Sequence, residues 1–97
     1  MTTTITETDL REEIRVLASL YGWTFNFTHN SKHSPAGDLD LRLVKPPRYI
    51  VAELKSEKGK MTPTQREMFA LLEQCPGVEV YIWRPSQLQQ IADLLAQ

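Results

Sequence analysis

Asp40, Glu53 and Lys55 are the residues whose types and spacing could do chemistry. Leu39, Leu41 and Leu43 alternate with Asp38, Asp40 and Arg42, the period of a strand carrying its charges on one face. Glu53 and Lys55 lie two residues apart in Tyr-Ile-Val-Ala-Glu-Leu-Lys, so they project side by side. Pro46-Pro47 marks a turn between the two segments and implies an antiparallel hairpin. Where the charged faces of the two strands meet, Asp40 and Glu53 converge with an ammonium beside them. Carboxylates gathered in this way make a hard oxygen site for Mg²⁺ or Mn²⁺. Such an ion polarises a phosphodiester and lowers the pKa of water, while the lysine orients the nucleophile or stabilises developing charge. Glu53 sits inside the most apolar strand of the chain, where an acid requires a partner. The same pattern also fits an edge-strand ion pair, with Asp40 on Arg42 or Arg48, and the spacing alone leaves both readings open.

The elements that position these residues can be read in order. Leu10, Ile14, Leu17 and Tyr21 share one helical face, predicting a helix over about 9–21 that starts on an Asp9/Glu12 capping box and stops at Gly22. Residues 1–7 are expected to be flexible. Trp23, Phe25 and Phe27 alternate with Thr24, Asn26 and Thr28 in a first strand. His29 to Gly37 is a polar loop whose Asn30, Ser31, Lys32, His33 and Ser34 can donate hydrogen bonds to phosphate. The strand with Asp40 follows, then the strand Tyr49 to Leu54, then a charged loop from Ser56 to Met61 that includes Lys58 and Lys60. A second helix has Thr62 as N-cap, Pro63 at its first position and Gln65 closing a capping box, with Met68, Phe69, Leu72 and Cys75 on its apolar face. Val78, Val80 and Ile82 alternate with Glu79, Tyr81 and Trp83 in a fourth strand, whose aromatics are assigned to sheet packing. Ser86 and Gln89 cap a last helix striped by Leu88, Ile91, Ala92 and Leu95. The expected fold is α/β, a single domain running helix, three strands, helix, strand, helix, with a mixed four-stranded sheet.

At 97 residues the chain suits one domain, and no apolar run is long enough to span a membrane. The start, MTTTITETDL, lacks the pattern of a signal peptide, so a cytoplasmic location is expected. The single cysteine, Cys75, excludes an internal disulfide and the usual zinc patterns. His29 and His33 lack a second ligand cluster and are assigned to solvent or phosphate contact. The net charge of −1 is unevenly spread. Residues 32–66 hold eight cations against four acids, while the rest holds Arg11, Arg15 and Arg84 against eight acids. That basic middle attracts a phosphate backbone while its embedded acids hold metal ions.

The segments Gly-Asp-Leu-Asp40-Leu and Ile-Val-Ala-Glu53-Leu-Lys55-Ser-Glu-Lys-Gly, the Thr-Pro-Thr-Gln65 helix start, Gly22-Trp23 and Val-Tyr-Ile-Trp-Arg-Pro-Ser together resemble the PD-(D/E)XK nuclease superfamily. More closely, they look like the stand-alone VRR-NUC domains of phages and bacteria. The resemblance spans nearly the whole chain and implies a restriction-endonuclease-like core. It also implies a Mg²⁺- or Mn²⁺-dependent endonuclease acting on DNA, for which branched or junction structures are one candidate substrate beside duplex and single-stranded DNA. The family's aspartate falls on Asp40, its glutamate on Glu53, its lysine on Lys55 and a recurring glutamine on Gln65. Members often supply another acid from the first helix, for which Glu13 is the candidate; Asp38 is either a further ligand or a surface charge. Lys32, His33, Lys58 and Lys60 are the expected phosphate contacts. Symmetric cutting of a junction needs two sites, which a homodimer supplies. A non-catalytic nucleic-acid-binding module of the same fold is the alternative. One departure is Leu39, where the family usually has proline; that proline shapes backbone and does no chemistry.

Overall fold

The computed structural model describes residues 5–28, 37 and 39–97. Its elements run α1 (Glu7–Tyr21), β1 (Thr24–Phe27), β2 (Leu41–Lys45), β3 (Arg48–Leu54), α2 (Pro63–Glu73), β4 (Val78–Trp83), a 3-10 turn (Pro85–Gln87) and α3 (Leu88–Ala96). Together they form one α/β domain with a mixed, open four-stranded sheet in the order β1-β2-β3-β4. The first three strands are antiparallel neighbours, and β4 returns through α2 to pair parallel with β3.

Local sequence explains most of these boundaries. Helix α1 begins at Glu7, two residues earlier than its apolar stripe predicts, because Thr6 and Asp9 form the capping box in place of Asp9 and Glu12. Thr6 and Glu7 thus belong to the cap and first turn, although they fall in the stretch expected to be flexible. Gly22 closes the helix in the left-handed region at φ 80°, donating to the carbonyls of Ala18 and Ser19. Helix α2 starts as its sequence requires, with Thr62 and Gln65 capping each other's backbone. It ends at Glu73, so the exposed Cys75 lies beyond it and not on its apolar face. The last helix is preceded by a 3-10 turn, and Gln87, in place of Ser86 and Gln89, caps back onto the Arg84 amide at 2.8 Å.

The sheet separates two environments. In an antiparallel ladder directly opposed residues share a face. Leu41 opposite Ala52 and Leu43 opposite Ile50 therefore point one way, joined by Leu54 and Trp83. That face packs against Leu10, Ile14 and Ala18 of α1 and Ile91 and Leu95 of α3 in one buried cluster. The Trp23 indole donates to the Leu95 carbonyl at 2.9 Å, and Trp83 stacks on Tyr81 at 5.4 Å. The opposite face carries Glu53, Val51 and Arg42, with Val80 and Ile82 of β4 beside them. Helix α2 packs over the β4 end of this face.

A polar strut ties β4 and the C-terminal helix to the hairpin. Arg48 grips Glu79 with two bonds of 2.8 Å, reaches the carbonyls of Leu94 and Gln97 at 3.3 and 3.4 Å, and lies 4.8 Å over the Trp23 ring. Tyr81 donates to the same Glu79 carboxylate at 2.9 Å, and the two arginine bonds hold Glu79 below the usual carboxylate range. Arg48 is therefore the structural partner of Glu79.

Candidate active site

The register of the β2–β3 hairpin assembles the site. Lys45 pairs with Arg48 across a two-residue turn and Leu41 pairs with Ala52. One step further, Asp40 faces Glu53 at the mouth of the hairpin. The Asp40 amide donates to Glu53 Oε1 at 3.2 Å, and the Leu54 amide donates to Asp40 Oδ2 at 3.4 Å. Asp40 precedes β2 and is not within it, so its carboxylate meets the end of β3 from a bend.

Glu53 is the only polar or charged residue buried among those described, at 2% exposure. Strand β3 is interior, flanked by β2 and β4, which excludes the edge-strand setting that the sequence pattern left open. Glu53 Oε2 accepts from Gln65 Nε2 at 3.0 Å and lies 3.3 Å from Lys55 Nζ. Gln65 in turn accepts the Thr62 amide through its own carbonyl at 3.0 Å. The glutamine therefore closes the helix cap and steadies the acid with one side chain, so the two roles coexist.

Burial pushes the Glu53 carboxyl up to about 7, and the charge of Asp40 adds to this, while Lys55 works in the opposite direction. A carboxyl strained in this manner, beside a second acid, is the type of group found at catalytic centres. A divalent cation fits this donor set. Two hard carboxylates are close enough to repel, and Mg²⁺ typically takes only one or two protein carboxylates, keeping water or substrate oxygens for the rest. Among the described residues no third acid, histidine or cysteine joins the pair.

The other sequence-predicted residues divide clearly. Lys58 and Lys60 are exposed on the loop that follows Lys55. Glu13 is not brought to the site. It is exposed on α1, which packs on the opposite face of the sheet. Another acid of α1, Glu7, lines a recess with Thr8, Arg11, Phe27 and Leu54. The apolar stripe shows which side of a helix is buried but not which of its ends approaches the hairpin mouth. Lys32, His33, His29 and Asp38 lie outside the described residues. Gly37, at φ 85°, approaches the first turn of α2 so closely that a Cβ there would stand 2.6 Å from the Thr64 carbonyl oxygen.

Comparison of the chain with family models, curated proteins and solved structures returns no significant match. The site's reading therefore rests on its own geometry. No helix among the described residues is long and apolar enough to cross a membrane.

One contributor escaped the sequence reading. Arg84 Nη1 reaches the carbonyls of Ser56, Gly59 and Glu57 at 2.6, 2.7 and 3.2 Å, behind the loop of Lys58 and Lys60. Its only sequence signal was membership in Trp-Arg-Pro-Ser.

Proposed function

We propose that this chain is a Mg²⁺- or Mn²⁺-dependent endonuclease that hydrolyses DNA phosphodiesters, a VRR-NUC-like member of the PD-(D/E)XK superfamily. The observation that carries this reading is the convergence of Asp40, buried Glu53 and Lys55 at one hairpin mouth, with Gln65 locking Glu53 from α2. Asp40 and Glu53 would hold the ion. When bound, it supplies Lewis-acid polarisation of the phosphodiester and a lowered pKa for the attacking water. The residues of the chain supply the remainder. Gln65 and the Asp40 amide fix the rotamer of Glu53, so the carboxylate is aimed before substrate arrives. The Lys55 ammonium adds positive charge where the pentavalent phosphate gathers negative charge. Cation loading competes with a proton on Glu53, so it strengthens as pH rises.

DNA is the proposed partner, held by its backbone through Lys58 and Lys60 and, on the preceding loop, Lys32 and His33. Branched or junction DNA is the proposed substrate, cut by a homodimer that presents two sites. The cytoplasm is the proposed location. One observation favours the silent-binder alternative, namely that only two acids gather among the described residues. A single experiment separates the two readings. Labelled hairpin, flap, four-way-junction and plasmid DNA are incubated with the protein and Mg²⁺ or Mn²⁺. Metal-dependent cleavage by the wild type that Glu53→Gln abolishes supports the nuclease. Salt-sensitive binding without cleavage supports the silent module.

A further inference from the structure

Beyond Lys55 the chain leaves the sheet, and the loop to Thr62 has little of its own to hold it. Among the described backbone bonds, Lys55 donates to the Trp83 carbonyl at 3.0 Å and Gly59 to the Ser56 carbonyl at 3.2 Å. A loop so lightly bonded samples many backbone states, and ordering it on DNA would cost binding energy. It is held from behind instead. Arg84 Nη1 has two hydrogens, and its two short contacts, 2.6 Å to the Ser56 carbonyl and 2.7 Å to the Gly59 carbonyl, use both. The Glu57 carbonyl at 3.2 Å shares them as a weaker third acceptor. A second tie runs the other way, from the Ser86 amide to the Glu57 carboxylate. The Arg84 backbone is itself fixed, since its amide donates to Gln87 Oε1 at 2.8 Å. Three carbonyls turn toward one guanidinium, and Lys58 and Lys60 are left exposed.

We propose that Arg84 is a positioning residue: it clamps the 56–59 backbone so that Lys58 and Lys60 meet phosphates in a preset geometry, without contacting DNA through Nη1 itself. The inference rests on the nuclease reading above. It separates the loop from the chemistry, because Lys55 is anchored by the sheet and Glu53 by Gln65. Releasing the clamp therefore weakens substrate binding and spares the chemical step.

The test uses the full chain with Mn²⁺ and a labelled hairpin duplex. Wild type, Arg84→Ala, Arg84→Lys, the Lys58→Glu/Lys60→Glu double variant and the triple variant with Arg84→Ala are compared. The expected result is a KM raised about 10-fold in Arg84→Ala, the scale of losing a charge-assisted hydrogen-bond set, with kcat within about 2-fold. The Mn²⁺-induced rise in Tm is retained. In the Lys58→Glu/Lys60→Glu background Arg84→Ala adds less than about 2-fold, because the groups it positions are gone. Arg84→Lys falls between wild type and alanine, and it carries the test if alanine does not fold. An unchanged KM, or a 10-fold loss that persists in the double-variant background, overturns the proposal while leaving the nuclease standing. A wild type that neither binds nor cuts DNA overturns both.

Discussion

Replacing Glu53 by glutamine should change how stability depends on pH, and the size of the change follows from the site. The unfolded chain ionises Glu53 near its ordinary value of 4.5, whereas the folded chain holds the proton until about 7. Between those values the folded state binds more protons, so its stability falls as pH rises through the window. Each pKa unit is worth about 1.4 kcal/mol, so between pH 5 and pH 8 the wild type loses about 2 to 3 kcal/mol to Glu53. Glutamine keeps the shape and an acceptor without the charge. Acids remote from the site titrate alike in both proteins and cancel in the difference, whereas Asp40, released from the Glu53 charge in the variant, belongs to the difference itself. Urea unfolding of both proteins at half-unit pH steps measures it. The wild type should gain on the variant as pH falls, with most of the gain between pH 7 and pH 5. Saturating Mn²⁺ at pH 8 should restore stability to the wild type, about 2.7 kcal/mol at a hundredfold excess over Kd, and much less to the variant. Parallel pH curves for the two proteins would refute the reasoning, because they would mean that Glu53 ionises as freely folded as unfolded.

Three further outcomes are expected. Lys55→Ala should lower cleavage by about 10²-fold or more with the Mn²⁺ thermal shift kept or enlarged, since a neighbouring cation disfavours metal; single-turnover assays and melting curves check it. Arg48→Ala should destabilise by about 1 to 3 kcal/mol in urea, losing the grip on Glu79 and both C-terminal carbonyls and stranding a half-buried carboxylate. Gly22→Ala should cost about 1 kcal/mol, the penalty of its left-handed backbone alone, whereas Gly37→Ala should cost more, because its Cβ would also collide with the Thr64 backbone.

Sequence made much of this legible, and the reasons are local. The alternation through Leu39 to Leu43 and Ile50 to Leu54 determines which face joins the main core, and the two-proline turn leaves one register in which those faces agree. Asp40 and Glu53 therefore had to meet. The Thr62–Gln65 cap was visible for the same reason, being a matter of spacing within one turn. What stayed hidden depends on distant contacts. The pairing of Arg48 with Glu79 joins strands separated by α2, and Arg84 meets a loop some 25 residues earlier. Neither leaves a periodic trace. The apolar stripe of α1 gives the angle at which Glu13 stands and not its axial position relative to the hairpin mouth. The first helix starts before the Asp9/Glu12 spacing because Thr6 and Asp9, one turn earlier, make an equally good box.

The hairpin that joins Asp40 to Glu53 also governs how this protein can drift. Its core residues and its acids are interleaved one by one, so an insertion or deletion of one residue within β2 or β3 must bulge out or exchange the two sets. Leu41, Leu43, Ile50 and Ala52 are wholly buried, and a chain that exchanged them would fail to fold before its activity mattered. Purifying selection on stability thus keeps the spacing of the acids without any help from catalysis. Among descendants of this sequence, the distance in residues between the two acids would persist even where the site serves no chemistry. Under the proposed nuclease reading, the identities at 40, 53 and 55 are what selection for cleavage alone would preserve.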